Sequence, residues 1–340
     1  MRFAFDEDHV LFRATVREFL DKECTPADVR AAWSSHRGWS TDRWAMLAAL
    51  GVTGLTVPER HGGLGMDELS LVLVLEESGR AGLPEPIVDT TAVGAPLLAE
   101  VGSDELRERW LRPVATGQAI LGVGLSTTPY VDHAGSADLL LLQRGNEVHA
   151  VAPDQVTVFE QPSLDRARRL ASVEWEPGAA SLLANGDRAA AAIESAFDRG
   201  ALAAAAQLLG VTQQLINLAV EHARRRVQFG QPIGSFEAVK HMLANALLQL
   251  ELARPVVYRA AYSIARDMPE RALDVSMAKA YASDAATLAG RVALQTHGAI
   301  GFTWEHDLQL WMKRGWALAA AWGDAAWHRT RVGAAVLPRS

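Results

Sequence analysis

From about Ala189 to the C-terminus the chain is a succession of apolar residues at helical spacing, rich in alanine and interrupted in one place by Phe229-Gly-Gln-Pro-Ile-Gly234. A proline lacks the backbone N–H and, flanked here by glycines, cannot sit inside a helix. The run therefore divides into separate long helices. They are expected at 197–226, 236–266 and 270–296, followed by a break at Gly298 and Gly301 and a last helix over 304–336. Four long helices with short connections must run antiparallel, and that arrangement is a four-helix bundle, placed at 189–340.

The upstream sequence has two characters. Residues 1–115 read as helical, with Thr41, Asp67 and Ser103 at positions that suit helix caps. Pro84 and Pro86 mark an irregular turn, and another helix is expected over 91–100. Beyond Pro113 the period shortens. Strands are expected at 120–126, 139–143, 147–152, 156–160 and 171–175, with Arg144-Gly-Asn146 closing a hairpin. The expected fold class is α+β, mostly α: an N-terminal helical domain over 1–115, a small β domain over 116–188 and the bundle.

Charge and cysteine content exclude several functions. The 340 residues carry 33 Lys and Arg against 40 Asp and Glu, a formal net charge of −7. That balance opposes a nucleic-acid-binding surface, which needs clustered cations. The single cysteine, Cys24, rules out an internal disulfide and any CxxC metal site. The histidines form no HxxxH or HExxH spacing, so no metal is expected. With no basic-then-apolar leader and no sufficiently long apolar run, the chain reads as cytoplasmic and without a membrane span.

Two segments carry a family resemblance. One is Arg226-Val-Gln-Phe-Gly-Gln-Pro-Ile-Gly-Ser-Phe-Glu-Ala-Val-Lys-His-Met-Leu-Ala-Asn245, and the other is Gln295-Thr-His-Gly-Ala-Ile-Gly-Phe-Thr-Trp-Glu305. With Gly51-Val-Thr-Gly-Leu-Thr-Val-Pro-Glu-Arg-His-Gly-Gly-Leu-Gly65 and the opening Met1-Arg-Phe-Ala-Phe-Asp-Glu-Asp-His9, they resemble the acyl-CoA dehydrogenase flavoproteins over nearly the whole chain. The resemblance implies that helices, a small β domain and a bundle hold FAD and dehydrogenate an acyl-CoA thioester between its α and β carbons. It also implies oligomers, a homodimer, homotetramer or heterotetramer with a related subunit. An electron-transfer flavoprotein is one partner the resemblance allows, and the electron acceptor stays open at this point. Apolar residues such as Leu308, Leu310 and Trp311 are more than one bundle needs and are expected at an interface.

Residue by residue, the resemblance implies that Arg226 and Phe229 reach the FAD of a neighbouring subunit. Gln295, Gly298 and Ala299 would meet the adenosine-pyrophosphate half, Ala299 standing where the family has glycine. Ser126, Thr127 and Thr128, within Leu125-Ser-Thr-Thr-Pro-Tyr130, would line the flavin's pyrimidine edge from a strand. Each has a plainer reading: a solvated cation, a core aromatic, a helix stop, a hydrophilic strand end.

The family's catalytic base is a glutamate in one of two positions. Matching Gly301-Phe302 and Met312-Lys313 puts Trp322 at the first, and matching back from Phe229-Gly230 puts Gly200 at the second, or Arg199 with a one-residue slip. None of these is acidic. Two readings stay open. Either Asp324, just past Gly323, serves as base, or this chain is the subunit that lacks the glutamate and a partner supplies it. A flavin-dependent monooxygenase on the same fold and a purely structural subunit remain as alternatives.

Overall fold

A computed structural model describes residues 5–337. Six helices open the chain: α1 (Glu7–Glu23), α2 (Pro26–Ser34), α3 (Thr41–Ala49), α4 (Glu68–Ala81), α5 (Ala95–Val101) and α6 (Asp104–Ala115). All but α5 start at side chains that accept from otherwise unpaired first-turn N–H groups. Asp6, Thr25, Asp67 and Ser103 cap α1, α2, α4 and α6. Ser40, not Thr41, caps α3. The helix expected over 91–100 is instead a π-helical turn, Val88–Gly94, continuing into α5. Such turns carry one extra residue per turn and occur often at functional sites.

The β region holds seven strands in two sheets. Strands β1 (Leu121–Gly124), β3 (Leu139–Arg144), β4 (Glu147–Val151) and β7 (Leu182–Asn185) form the order β1-β3-β4-β7. Strands β2 (Val131–Asp132), β5 (Val156–Glu160) and β6 (Leu170–Trp175) form the order β2-β6-β5. β1 lies parallel to β3, and β3 and β4 form the expected hairpin, pairing Arg144 with Glu147. Four consecutive leucines in β3 are buried because alternate side chains face opposite sides. Leu139 and Leu141 join the main core, while Leu140 and Leu142 pack on the second sheet. The first strand stops at Gly124, so Ser126–Thr128 sit in a turn and not, as expected, on a strand.

The C-terminal helices are α7 (Gly186–Arg225), α8 (Glu237–Ala265), α9 (Arg271–His297), α10 (Leu308–Ala320) and α11 (Ala325–Val336). α7 begins eleven residues earlier than its apolar spacing predicts, through a half-exposed first stretch. It is long and apolar enough to cross a membrane by composition, yet 72% of its apolar window is buried in the fold. Glycines bring it against α4: a Cβ on Gly210 would stand 1.9 Å from the Glu76 carbonyl oxygen, and one on Gly79 2.0 Å from that of Gln207. Nothing larger than glycine fits that crossing.

The expected single helix over 304–336 is two helices. Ala321 is extended, Trp322 and Gly323 take φ of 55° and 83°, and the chain turns before α11. Leu308, Leu310 and Trp311 lie in the core of this one chain, 0–3% exposed, so they form no interface. Trp311 donates its indole N–H to the Arg80 carbonyl at 2.8 Å.

Candidate active site

The break between α10 and α11 is held from α9. Lys279, fully buried, donates from Nζ to the carbonyl oxygens of Ala319 and Gly323, at 2.9 Å each. These are carbonyls that an unbroken helix would have paired itself. Burial pushes the Lys279 amine down to about 7, with Asp324 pulling the other way. His328 Nε2 donates to the Trp322 carbonyl at 2.9 Å, and burial takes that imidazole down to about 4. A tryptophan at positive φ is strained, and these contacts hold it there.

The Trp322 indole lies flat over α7 at Gly200. A Cβ built on Gly200 would stand 2.3 Å from the ring. The two positions where the resemblance seeks a glutamate are thus neighbours in space, and one buried indole fills both, with Phe197 edge-on at 6.2 Å. Arg199, the slipped alternative, pairs with Glu68 at 2.8 Å. Asp324 is exposed and caps α11, accepting from the Trp327 N–H at 2.8 Å.

Beside the indole opens a cavity of about 430 Å³ between the β domain and α10, walled by Thr127, Thr128, Leu164, Trp316 and Trp322, with Asp89, Asp132 and Arg168 in its polar part. The Thr128 hydroxyl is engaged in its own turn, donating to the Leu125 carbonyl at 3.0 Å. Ser126 donates its N–H to the Gln143 side chain at 2.9 Å, and Thr127 is exposed. Arg168 donates from Nε to Asp132 at 2.7 Å and from Nη1 to the Ala317 carbonyl at 3.2 Å. Burial works against an ionised Asp132, but Arg168 and His133 outweigh it and hold the carboxylate below its usual range. Asp89, from the π turn, is pushed well up, first by burial and then by the charge of Asp132. Asp89 and Lys279 escape a reading of the sequence, because a single acid or lysine in a helical run resembles any solvated one.

The other predicted residues gather at the far end of the bundle. Arg226 ends α7, exposed, and Phe229, 92% exposed at φ 52°, forms with Gly230 the turn of a two-residue-stranded ribbon, β8 (Val227–Gln228) and β9 (Gln231–Pro232). Gln295, Gly298 and Ala299 are exposed at the end of α9, where Gly298 at φ 66° stops the helix. His222 and His297, with ring centroids 4.4 Å apart, bring the two ends together. An exposed guanidinium, an aromatic face and a glycine turn that admits close backbone approach suit a dinucleotide's phosphates and rings. The residues present fit FAD. The rise from Gly200 to Arg226 along α7 is about 39 Å, so the two groups of predicted residues lie at opposite ends of that stretch of helix.

Comparisons with known proteins agree with this architecture. The family descriptions "Acyl-CoA dehydrogenase, N-terminal domain" and "Acyl-CoA dehydrogenase, C-terminal domain" match residues 6–118 and 190–337. The chain is 35% identical to "Acyl-CoA dehydrogenase IpdE2" of Mycolicibacterium smegmatis over 309 residues, 91% of this chain and 92% of that protein. It is 33% identical to IpdE2 of Mycobacterium tuberculosis, covering 91% of each. In fold it resembles butyryl-CoA dehydrogenase from Megasphaera elsdenii, with a TM-score of 0.89 at 23% identity over 99% and 100% of the two chains. It also resembles the ChsE4-ChsE5 complex from Mycobacterium tuberculosis, with a TM-score of 0.87 at 24% identity over 100% of both chains. With both domain descriptions matched and relatives above 30% identity along nine-tenths of its length, the chain belongs to the acyl-CoA dehydrogenase family of oxidoreductases.

Proposed function

We propose that this chain is one subunit of a hetero-oligomeric, FAD-dependent acyl-CoA dehydrogenase, and that the carboxylate removing the α proton belongs to a partner chain. The observation that carries the reading is the Trp322 indole over Gly200, which occupies both positions from which a glutamate would act. The α C–H of a thioester is weakly acidic, so its removal needs a carboxylate in a water-poor pocket. FAD, when bound, accepts the hydride leaving the β carbon.

This chain's own groups bind and orient. Arg226 offers its charge to a pyrophosphate, Phe229 a stacking face, and the Gly298–Ala299 turn a close backbone approach, with Gln295 beside them. The reach of α7 supports a flavin shared across an interface, with Ser126–Thr128 facing a different one. A half-exposed apolar stripe on α8, Leu247, Leu248 and Leu252 at 42%, 54% and 50%, suits a covering subunit. The ChsE4-ChsE5 complex has this fold in a two-chain assembly. An electron-transferring flavoprotein is the electron acceptor that fits the class.

Asp324 as base is the weaker reading, because its carboxylate is spent on the α11 cap and faces solvent. The test is co-expression with a related chain, recording mass, flavin content and bleaching by acyl-CoA. The reading predicts a yellow hetero-oligomer bleached by an acyl-CoA in the presence of an electron acceptor, with the chain alone inactive. Bleaching only by an added flavin reductase would favour the monooxygenase, and a colourless complex a structural subunit.

A further inference from the structure

A second cavity, of about 560 Å³, opens in the β domain and shares no lining residue with the one beside Trp322. Its wall is built by the end of β4, the start of β5, the end of β6 and the loop 176–181. Ser181, half-buried on that wall, places its Oγ 3.0 Å from Nδ1 of His149. His149 is 2% exposed, and its Nε2 lies 3.1 Å from the Glu147 carboxylate. The Trp175 ring stands edge-on to the imidazole, with centroids 5.1 Å apart. An ionised carboxylate only accepts, so Nε2 carries the ring proton and Nδ1 is left to accept from the Ser181 hydroxyl. A nucleophile, a base and a group that orients the base thus stand in one line, the arrangement that activates a serine. The two ring nitrogens exchange their usual places, but such a constellation is recognised by geometry and roles.

We propose that Ser181 is the nucleophile of a second, flavin-independent site that hydrolyses small carboxylic esters and thioesters whose leaving group is neutral or cationic. Ser181 Oγ attacks the carbonyl carbon, and its proton passes to His149 Nδ1. The bond to the leaving group breaks, and the alcohol or thiol departs with that proton. Water then attacks the acyl-serine by the same route, which frees the carboxylic acid and returns a proton to Ser181 Oγ. The hydroxyl also lies 2.9 Å from the Gly178 carbonyl, which shares the proton but cannot remove it. The Gly178 N–H, donating to Oγ at 3.3 Å, is an amide already aimed at the reacting atoms, where negative charge develops on the carbonyl oxygen. A Cβ on Gly178 would meet nothing within 4 Å, so an acyl group has room there. Glu174 and Glu176 stand on the wall and no lysine or arginine does. Arg144, over the Trp175 ring at 5.6 Å, is one cation against these two acids and Glu147. That acidic rim repels an anionic leaving group such as coenzyme A and draws in a cation.

The full-length chain is treated with a biotinylated alkyl fluorophosphonate, which phosphonylates an activated serine with loss of fluoride, and the labelled residue is located by mass spectrometry. Hydrolysis is followed by thiol release from two acetyl thioesters, acetylthiocholine and acetyl-CoA, which differ in the charge of the leaving group. The label is expected on Ser181, and kcat/KM for acetylthiocholine should exceed that for acetyl-CoA at least about tenfold. Ser181→Ala should abolish both label and turnover, and His149→Gln should lower turnover about 100-fold or more. Glu147, a positioning residue, acts through His149, so Glu147→Gln should lower kcat about tenfold or more with KM unchanged. Thermal melts check that the variants are folded, and labelling of the wild type needs none of them. No label on Ser181, turnover that survives Ser181→Ala in the folded variant, or equal rates on the two thioesters overturns the proposal. Ser181→Ala should leave the flavin content and acyl-CoA bleaching of the assembly unchanged, so this site and the proposed dehydrogenase stand or fall separately.

Discussion

Lys279 donates to two carbonyls that the broken helix leaves free, at 2.9 Å each, so it acts as an internal cap supplied from another helix. Lys279→Met keeps the apolar stem and strands both acceptors, and should destabilise the chain by about 2–4 kcal/mol. Its pH signature has a definite sign. Burial lowers the amine to about 7 in the folded state. Between there and the ordinary lysine range the unfolded chain holds a proton that the folded chain does not, so stability rises with pH across that window. Denaturant melts at pH 7 and 9 should show the rise in the wild type and lose it in Lys279→Met. Gly200→Ala probes the neighbouring contact. Its Cβ would fall 2.3 Å from the indole, and overpacking of this kind costs about 1–3 kcal/mol. A lower melting temperature with a shifted tryptophan emission is expected, and an unchanged melt would mean that the indole does not lie there.

At the scale of elements, the α10–α11 break separates what was legible in the sequence from what was not. The interruption at Phe229–Gly234 was legible because Pro232 and its glycines forbid a helix by local chemistry alone, although the two-stranded ribbon it forms was not. The break at Trp322-Gly323 was not, because the apolar period continues across it and the groups that hold it, Lys279 and His328, come from α9 and the next helix. The outward placing of Leu308, Leu310 and Trp311 failed for the same reason: α10 packs against α7 and the N-terminal helices, contacts the local period does not encode. Asp324 shows the same limit in the candidate site. Its position suggested a base, and its geometry makes it a cap. Asp324→Ala should lower stability by about 1 kcal/mol, whereas Asp324→Asn, an equally good cap, should leave both stability and turnover of the assembly unchanged. A loss of about 100-fold in turnover for Asp324→Asn would restore it as the base.

For the molecule as a whole, the order of helices, small β domain and bundle was legible because periodicity changes sharply near Pro113 and again near Ala189. The residues expected around FAD divide into two groups separated along α7, and on the proposed function the flavin site is a property of the assembly. Arg226→Ala removes a charge-assisted contact worth about 1.5–3 kcal/mol, so FAD should dissociate roughly ten- to a hundredfold more readily from the assembled protein. Flavin absorbance after dialysis checks this. The central claim is that the base is absent from this chain and supplied by another, and single-turnover reduction of the flavin by an acyl-CoA tests it most directly. Spectra are recorded for this chain reconstituted with FAD alone and for its complex with a related subunit. The account predicts bleaching only in the complex, abolished when the partner's glutamate is changed to glutamine. Bleaching by the reconstituted chain alone would contradict it.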